Sequence, residues 1–183
     1  MAEEDRFDYA FRFLMDLEGW GEDHHVQGDP GGRTRYGISR NNHPQVWADG
    51  PPDEARARCF YREAYWDVLR LGEVRSRVVA AEILEFAVHS STPRKGQSNV
   101  AVLTAQEAVN DVRAKWRGDL EDIWEDGVIG PQTLAALNTL EPGSVAELAW
   151  DGRFNLRQLR WLRTRRRDLV EKFFVGWTRR VVL

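Results

Sequence analysis

The sequence predicts a mainly α protein with a small β or irregular lobe near its N-terminus. Three observations carry that expectation. Apolar residues recur at helical spacing in five or six separate stretches. The only run rich in Gly, Asp and His lies between about residues 19 and 39. There is no series of alternating segments of the kind that builds a large sheet.

Phe7, Ala10, Phe11, Leu14 and Leu17 give a first helix from about residue 5 to Glu18, with Asp5 as its cap and Gly19 and Gly21 as its stop. The next twenty residues are too polar and too rich in Gly for a helix, and Thr34 to Ile38 reads as a short strand or hairpin arm. A helical turn near Asn41 to Trp47 is interrupted by Pro44. Pro51-Pro52-Asp53-Glu54 opens the next helix, with Asp53 as cap and an apolar face of Ala57, Phe60, Tyr61, Ala64 and Tyr65 that ends near Trp66 to Leu69. Val78, Val79, Ile83, Phe86 and Ala87 predict a largely buried helix over about 75–90, and Val100, Leu103, Gln106, Ala108 and Val109 another over 97–112. Asp126 to Thr133 is a turn leading into a helix that runs to Glu141. The last helix is expected over 155–174, with Leu156, Leu159, Leu162, Leu169, Val170 and Phe173 inward and arginines outward.

At 183 residues, 42% hydrophobic and 30% charged, the chain suits one globular domain over 1–183. No apolar run is long enough to cross a bilayer, and the acidic start is unlike a secretory leader, so synthesis in the cytoplasm is expected. The single cysteine, Cys59, excludes an internal disulfide and reads as a buried structural thiol. The net charge of -3 is unevenly spread. From Arg153 onward ten basic residues face two acidic ones, a surplus of eight positive charges that leaves -11 on the rest. Such a tail can meet anionic polymers, although a solvated helix face paired in part with the acidic body is the simpler reading. No helix-turn-helix frame accompanies it, which argues against nucleic acid.

Candidate chemistry gathers between Leu17 and Ser39. Glu18, at the end of an apolar helix beside Trp20, suits a carboxylic acid kept protonated by partial desolvation. Asp29, in a Gly-rich turn with Thr34 downstream, suits a charged carboxylate that orients or activates water; its plainer reading is a turn residue before Pro30. Trp20, Tyr36 and Trp47 are candidate stacking platforms for sugar rings. Among the eight tryptophans, Trp66, Trp116, Trp124, Trp150, Trp161 and Trp177 read instead as packing residues. His24, His25, His43 and His89 lack metal-ligand spacing, so neither a metal nor a cofactor is expected. There is no nucleophile elbow and no phosphate-cradling loop.

Glu18-Gly19, followed by Asp29-Pro30-Gly31-Gly32-x-Thr34-x-Tyr36-Gly37-Ile38-Ser39, resembles glycoside hydrolase family 108, the phage and bacterial N-acetylmuramidases of lysozyme type. Tyr61 to Asp67, Glu85-Phe86-Ala87-Val88-His89 and Asp126 to Thr133 resemble later blocks of that family in the same order, from residue 7 to Trp177. The resemblance implies a lysozyme-like helical domain, with a catalytic half over 1–95 and a helical half over 96–183 similar to a peptidoglycan-binding region. It implies cleavage of the β-1,4 bond between N-acetylmuramic acid and N-acetylglucosamine, with Glu18 as general acid and Asp29 and Thr34 at the water. Two places depart from the pattern. Glu18-Gly19-Trp20-Gly21 shifts the aromatic residue by one position, and His89 followed by Ser90 replaces the usual Asn-Gly, making His89 a candidate for altered substrate contact. The expected partner is the glycan strand of peptidoglycan, with anionic envelope polymers as a second partner for the Arg-rich tail. A monomeric phage endolysin, released to the cell wall after cytoplasmic synthesis, is the expected context. A silent peptidoglycan-binding protein and a lytic transglycosylase are the alternatives.

Overall fold

The computed structural model describes residues 3–24, 31–116 and 121–165, and its architecture is mainly α. Helix α1 (Glu3–Glu18) leads into three two-residue strands, β1 (Asp23–His24), β2 (Thr34–Arg35) and β3 (Ile38–Ser39), followed by a 3-10 turn at Pro44–Trp47. Then come α2 (Glu54–Tyr61), α3 (Arg77–Ser90), α4 (Val100–Trp116), α5 (Pro131–Leu137) and α6 (Val145–Arg165). Asp5 lies inside the first turn of α1, so it is not the cap that the spacing suggested. Pro44 opens the 3-10 turn and does not interrupt it, because a proline at the first helical position forfeits no hydrogen bond.

Helix α3 is the axis of the packing. Every residue from Val79 to Ala87 is buried, and the helix touches α1 on one side and α4 and α6 on others. Ser76 caps it by accepting from Val79 N–H and donates its own hydroxyl to the Glu147 carboxylate at the start of α6. Asp53 caps α2 as its sequence suggests, accepting from Arg56 N–H at 2.8 Å. At its C-terminal end α2 passes into one turn of π-helix over Arg62–Trp66, closed by Asp67 N–H to Arg62 C=O at 2.9 Å. The wider turn leaves Tyr61, Tyr65 and Trp66 all facing the interior.

In the C-terminal half, the fully buried Gln106 of α4 holds the turn before α5. Its amide donates to Asp126 Oδ1, Val128 C=O and Thr133 Oγ1 at 2.9–3.1 Å, and its carbonyl accepts from Gly127 N–H at 2.7 Å. Helix α6 begins about ten residues earlier than the sequence suggested. Trp150 and Phe154 stack at 4.8 Å in the core and Phe154 meets Phe86 of α3 edge-on, and that packing carries the helix through Gly152. Two residues beyond Phe154, Leu156 falls on the outer face and is 55% exposed, which corrects its inward assignment. Cys59 is exposed for the same reason, since Ala57 and Tyr61 define the buried face of α2 and Cys59 lies opposite. Trp124, expected in the core, is 80% exposed. Leu169, Val170, Phe173 and Trp177 lie outside the described residues.

Gly127 gives a direct test of this packing. Its φ is +74°, and a Cβ there would lie 2.3 Å from Ser98 Oγ and 2.9–3.0 Å from the Asn99 backbone. Gly127→Ala is expected to destabilise the fold by about 2–4 kcal/mol, from backbone strain plus overpacking, read as a lowered urea midpoint with an unchanged slope.

Candidate active site

Glu18 is the last residue of α1, and the chain turns away from it through two glycines. Gly19 N–H closes the helix on Met15 C=O at 2.8 Å with a φ of +93°, the left-handed exit that favours Gly. Gly21 follows at +59°, where a Cβ would collide with the Tyr36 phenol. This contact, with Arg35 Nε donating to Gly21 C=O at 3.0 Å, seats the strands against the exit of α1.

The small sheet is antiparallel in the order β1-β2-β3, with Asp23 opposite Arg35, His24 opposite Thr34 and Thr34 opposite Ser39. Tyr36 and Gly37 make the tight turn between β2 and β3, both with positive φ (52° and 72°), as a two-residue hairpin of right-handed twist requires. The strain at Tyr36 is held by Tyr61, whose hydroxyl donates to Tyr36 C=O at 2.8 Å. Gly37 is needed twice over. Any Cβ there would lie 2.8 Å from the Tyr61 hydroxyl and 3.3 Å from Glu18 Cβ and Cγ. The turn therefore rests directly on the side chain of Glu18.

On its other side Glu18 meets α3. His89 Nε2 lies 2.9 Å from Glu18 Oε1 and 3.0 Å from Oε1 of Glu85, one helical turn earlier. Glu85 is almost wholly enclosed, and its second oxygen accepts from Gln158 Nε2 of α6 at 2.6 Å. The side chains of Glu18 and His89 are each 19% exposed, so the cluster has one enclosed end and one end open to solvent. Burial pulls the His89 pKa down, but the charges and hydrogen bonds of Glu85 and Glu18 outweigh it and bring it up to about 9. The imidazole is therefore protonated at neutral pH. Tyr61 is pushed well above the usual phenol range, first by burial and then by the charges of Glu18 and Tyr65, and stays neutral. One turn back along α3, burial raises Glu82 well above the carboxylate range, aided by Glu85 and Asp151, while a hydrogen bond with Asn155 opposes the shift.

The sequence-derived candidates divide. Glu18 and His89 meet, with the Tyr36–Gly37 turn resting on Glu18, while Trp20 lies just past the exit of α1. Trp20 is 43% exposed and is held edge-on to Phe11, with its indole N–H on Asp16 at 2.7 Å. Trp47 is not available as a platform. It is 7% exposed, its N–H supports Ile38 C=O at 3.2 Å, and Arg33 lies over its ring, so it underpins β3 from within. Thr34 sits in the hairpin, partly buried, with its hydroxyl at the long distance of 3.5 Å from Gly32 C=O. Asp29 and His25 lie outside the described residues. His43 packs on Phe60 at 4.7 Å, where burial lowers its pKa, and among the described residues no group of three His, Cys, Asp or Glu is arranged to hold a metal. Sequence reasoning passed over Glu85 and Gln158; the available signal was an acid four residues before a histidine on an otherwise apolar helix.

At the start of the basic segment, Arg157 binds Glu107 and Asp111 at 3.0 and 2.7 Å, and Arg153 reaches Asp111 at 3.7 Å. These two arginines bind α6 to α4. Arg160 and Arg163 are exposed.

The family model of glycosyl hydrolase 108 matches residues 11–90, the segment that carries Glu18, the hairpin, Glu85 and His89. Among solved structures, Brucella abortus SagA superimposes with a TM-score of 0.63 at 26% sequence identity, over 97% of this chain and 90% of SagA. No curated protein sequence matches the chain.

The His89 cluster makes a pH-dependent contribution to stability. A histidine raised from 6.5 to about 9 on folding stabilises the native state fully below pH 6.5, and loses that contribution as pH rises through 9. The stability difference between the wild-type protein and His89→Asn is therefore expected to amount to a few kcal/mol near pH 6 and to shrink by pH 10, measured by urea unfolding at both values.

Proposed function

The family model of glycosyl hydrolase 108 matches residues 11–90, and from that match we propose that the protein is a peptidoglycan hydrolase cutting the β-1,4 bond between N-acetylmuramic acid and N-acetylglucosamine. The observation that carries the reading is the position of Glu18. It is a carboxyl at a helix exit, covered on one side by the Gly37 turn, hydrogen-bonded on the other to a protonated histidine, and still partly open to solvent.

Glycoside hydrolysis needs a proton on the leaving oxygen and a stabilised, oxocarbenium-like centre. Glu18 is assigned the proton. Trp20, exposed two residues away, offers an apolar face to a sugar ring. Asp29 is the candidate for orienting water, with Thr34 in the adjoining hairpin. In this reading the partner is the glycan strand, and the exposed Arg160 and Arg163, with the basic residues that follow them in sequence, add attraction to anionic envelope polymers. Cytoplasmic synthesis followed by action on the wall, as in a phage endolysin, fits the same picture. So does one domain spanning both halves of the chain.

One observation favours a second reading. Because Glu18 pairs with an imidazolium, it could be one partner of a structural ion pair in a protein that binds peptidoglycan without cutting it. A single variant separates the two. Glu18→Gln keeps the size and most of the hydrogen bonding of the side chain. It is expected to lower release of glycan fragments from purified sacculi by at least ~100-fold, while the far-UV spectrum and co-sedimentation with sacculi stay as in the wild type. Mass spectrometry of the wild-type fragments should show reducing-end N-acetylmuramic acid. Anhydro ends would instead identify a lytic transglycosylase, and equal cleavage by both proteins would remove Glu18 from the mechanism.

A further inference from the structure

A general acid must hold a proton at the moment the glycosidic oxygen needs it, yet Glu18 faces a neighbour that takes protons better than a carboxylate does. His89 Nε2 lies at hydrogen-bond distance from Glu18 Oε1 and Glu85 Oε1 together, 2.9 and 3.0 Å. One N–H directed between two carboxylates is a place to keep a proton, and Glu85 is built to hold it there. Glu85 is enclosed, cannot turn away, and is fixed from behind by Gln158.

We propose that His89 is a positioning residue that stores the proton Glu18 delivers: in the resting protein the proton sits on Nε2 between the two carboxylates, and it passes to Glu18 Oε1 when a glycan covers the cluster. This inference rests on the muramidase reading given above and adds to it the source of the proton.

The step balances. The Nε2–H bond of His89 breaks as the Oε1–H bond of Glu18 forms, turning an ion pair into a neutral pair. Glu18 then gives that proton to the glycosidic oxygen as the bond to the anomeric carbon breaks. Water adds its hydroxyl to that carbon, and its proton returns to the cluster. The driving change is loss of water. A sugar ring laid over the open end of the cluster withdraws the hydration that helped to stabilise separated charges, and desolvation favours the neutral pair.

The groups facing His89 come from several elements. Glu18 comes from α1 and Glu85 from its own helix, with the polar Gln158 of α6 behind Glu85. Tyr61 of α2 faces Glu18 and is neutral, and Glu82, with Asp151 of α6 near it, lies behind Glu85 and is raised by burial. The charges and hydrogen bonds of Glu85 and Glu18 thus hold the His89 proton to about pH 9.

The pH profile tests this. In the wild type, the alkaline limb of kcat/KM on sacculi is expected near pH 9, far above the limb of an isolated glutamic acid. In His89→Asn, which keeps a polar side chain but holds no proton, the limb is expected to move down by roughly two pH units or more. Activity near pH 5 should stay within about tenfold of wild type, while activity near pH 8 should fall by ~100-fold. The accompanying measurement needs no activity. The His89 ring resonances of the labelled wild-type protein should titrate near 9, and at a lower pH in Glu18→Gln, which also covers the case in which His89→Asn does not fold.

A wild type that cleaves sacculi, with an unmoved alkaline limb in His89→Asn, overturns the proposal and leaves the muramidase reading intact. His89 titrating at the ordinary value near 6.5 overturns it as well. A wild type that cleaves nothing between pH 5 and 10, with His89 still titrating near 9, removes the muramidase reading itself and reduces the cluster to a structural ion pair.

Discussion

The structure is governed by the burial of carboxylates on its central helix. Helix α3 is enclosed from Val79 to Ala87, yet two of its residues there are glutamates, Glu82 and Glu85. Isolated charges at such positions would cost several kcal/mol each. The two sites meet that cost in different ways. Glu82 is pushed toward its neutral form and lies against Asp151 and Asn155 of α6. Glu85 keeps a counter-charge in His89 and a donor in Gln158. Helix α6 brings the polar groups Asn155 and Gln158 to these acids, and Glu18 enters the cluster because α1 packs along the same axis.

The glycine turns are the second constraint, and they follow from the first. To face His89, Glu18 must end its helix with the side chain toward α3, so the chain must reverse at once. Gly19 and Gly21 supply left-handed conformations unfavourable to most other residues, and Gly37 brings the hairpin within van der Waals reach of the carboxyl stem. Tyr36 adopts the same strained region without being glycine, and the Tyr61 hydroxyl compensates it. Tyr61 is aimed there from the junction of α2 with the π-turn, so the wider turn after α2 and the hairpin geometry belong to one arrangement.

Much of this was legible in the sequence where local signals and tertiary packing agree. Asp53 before an acidic first turn gave the start of α2, Pro131 after Gly130 gave α5, and the apolar periodicity of about 75–90 gave the buried helix, observed over Arg77–Ser90. The failures arise where packing outweighs a local signal. The apolar periodicity marked the last helix only from 155, but Trp150 and Phe154 are drawn into the core and extend α6 back to Val145. Trp47 and Trp124 exchange the places that composition suggested, since exposure of an aromatic residue depends on which neighbours cover it. Within the site, Glu18 stood out by its place at the end of an apolar helix and by the family resemblance of the block it opens. Glu85 did not, because an acid inside an apolar helix announces a partner without naming it. The partner, Gln158, is 73 residues away.

That separation bears on how the two halves of the chain relate. The family match ends at residue 90, and the segment beyond it carries a turn motif of its own around Asp126, so the C-terminal half could be taken for an attached binding module. Its contacts argue for a closer role. Gln106 fixes the turn into α5, while Trp150, donating its indole N–H to Ala105 C=O at 3.2 Å, and Arg157, spanning Glu107 and Asp111, hold α6 at a set height along α4. At that height, and one helical turn past Phe154, Gln158 reaches Glu85. A shift of α6 by a single turn, about 5.4 Å, would take the amide away and leave a buried carboxylate with one donor fewer. The second half therefore sets how firmly Glu85 is held, Glu85 sets where His89 points, and His89 sets the charge felt by Glu18.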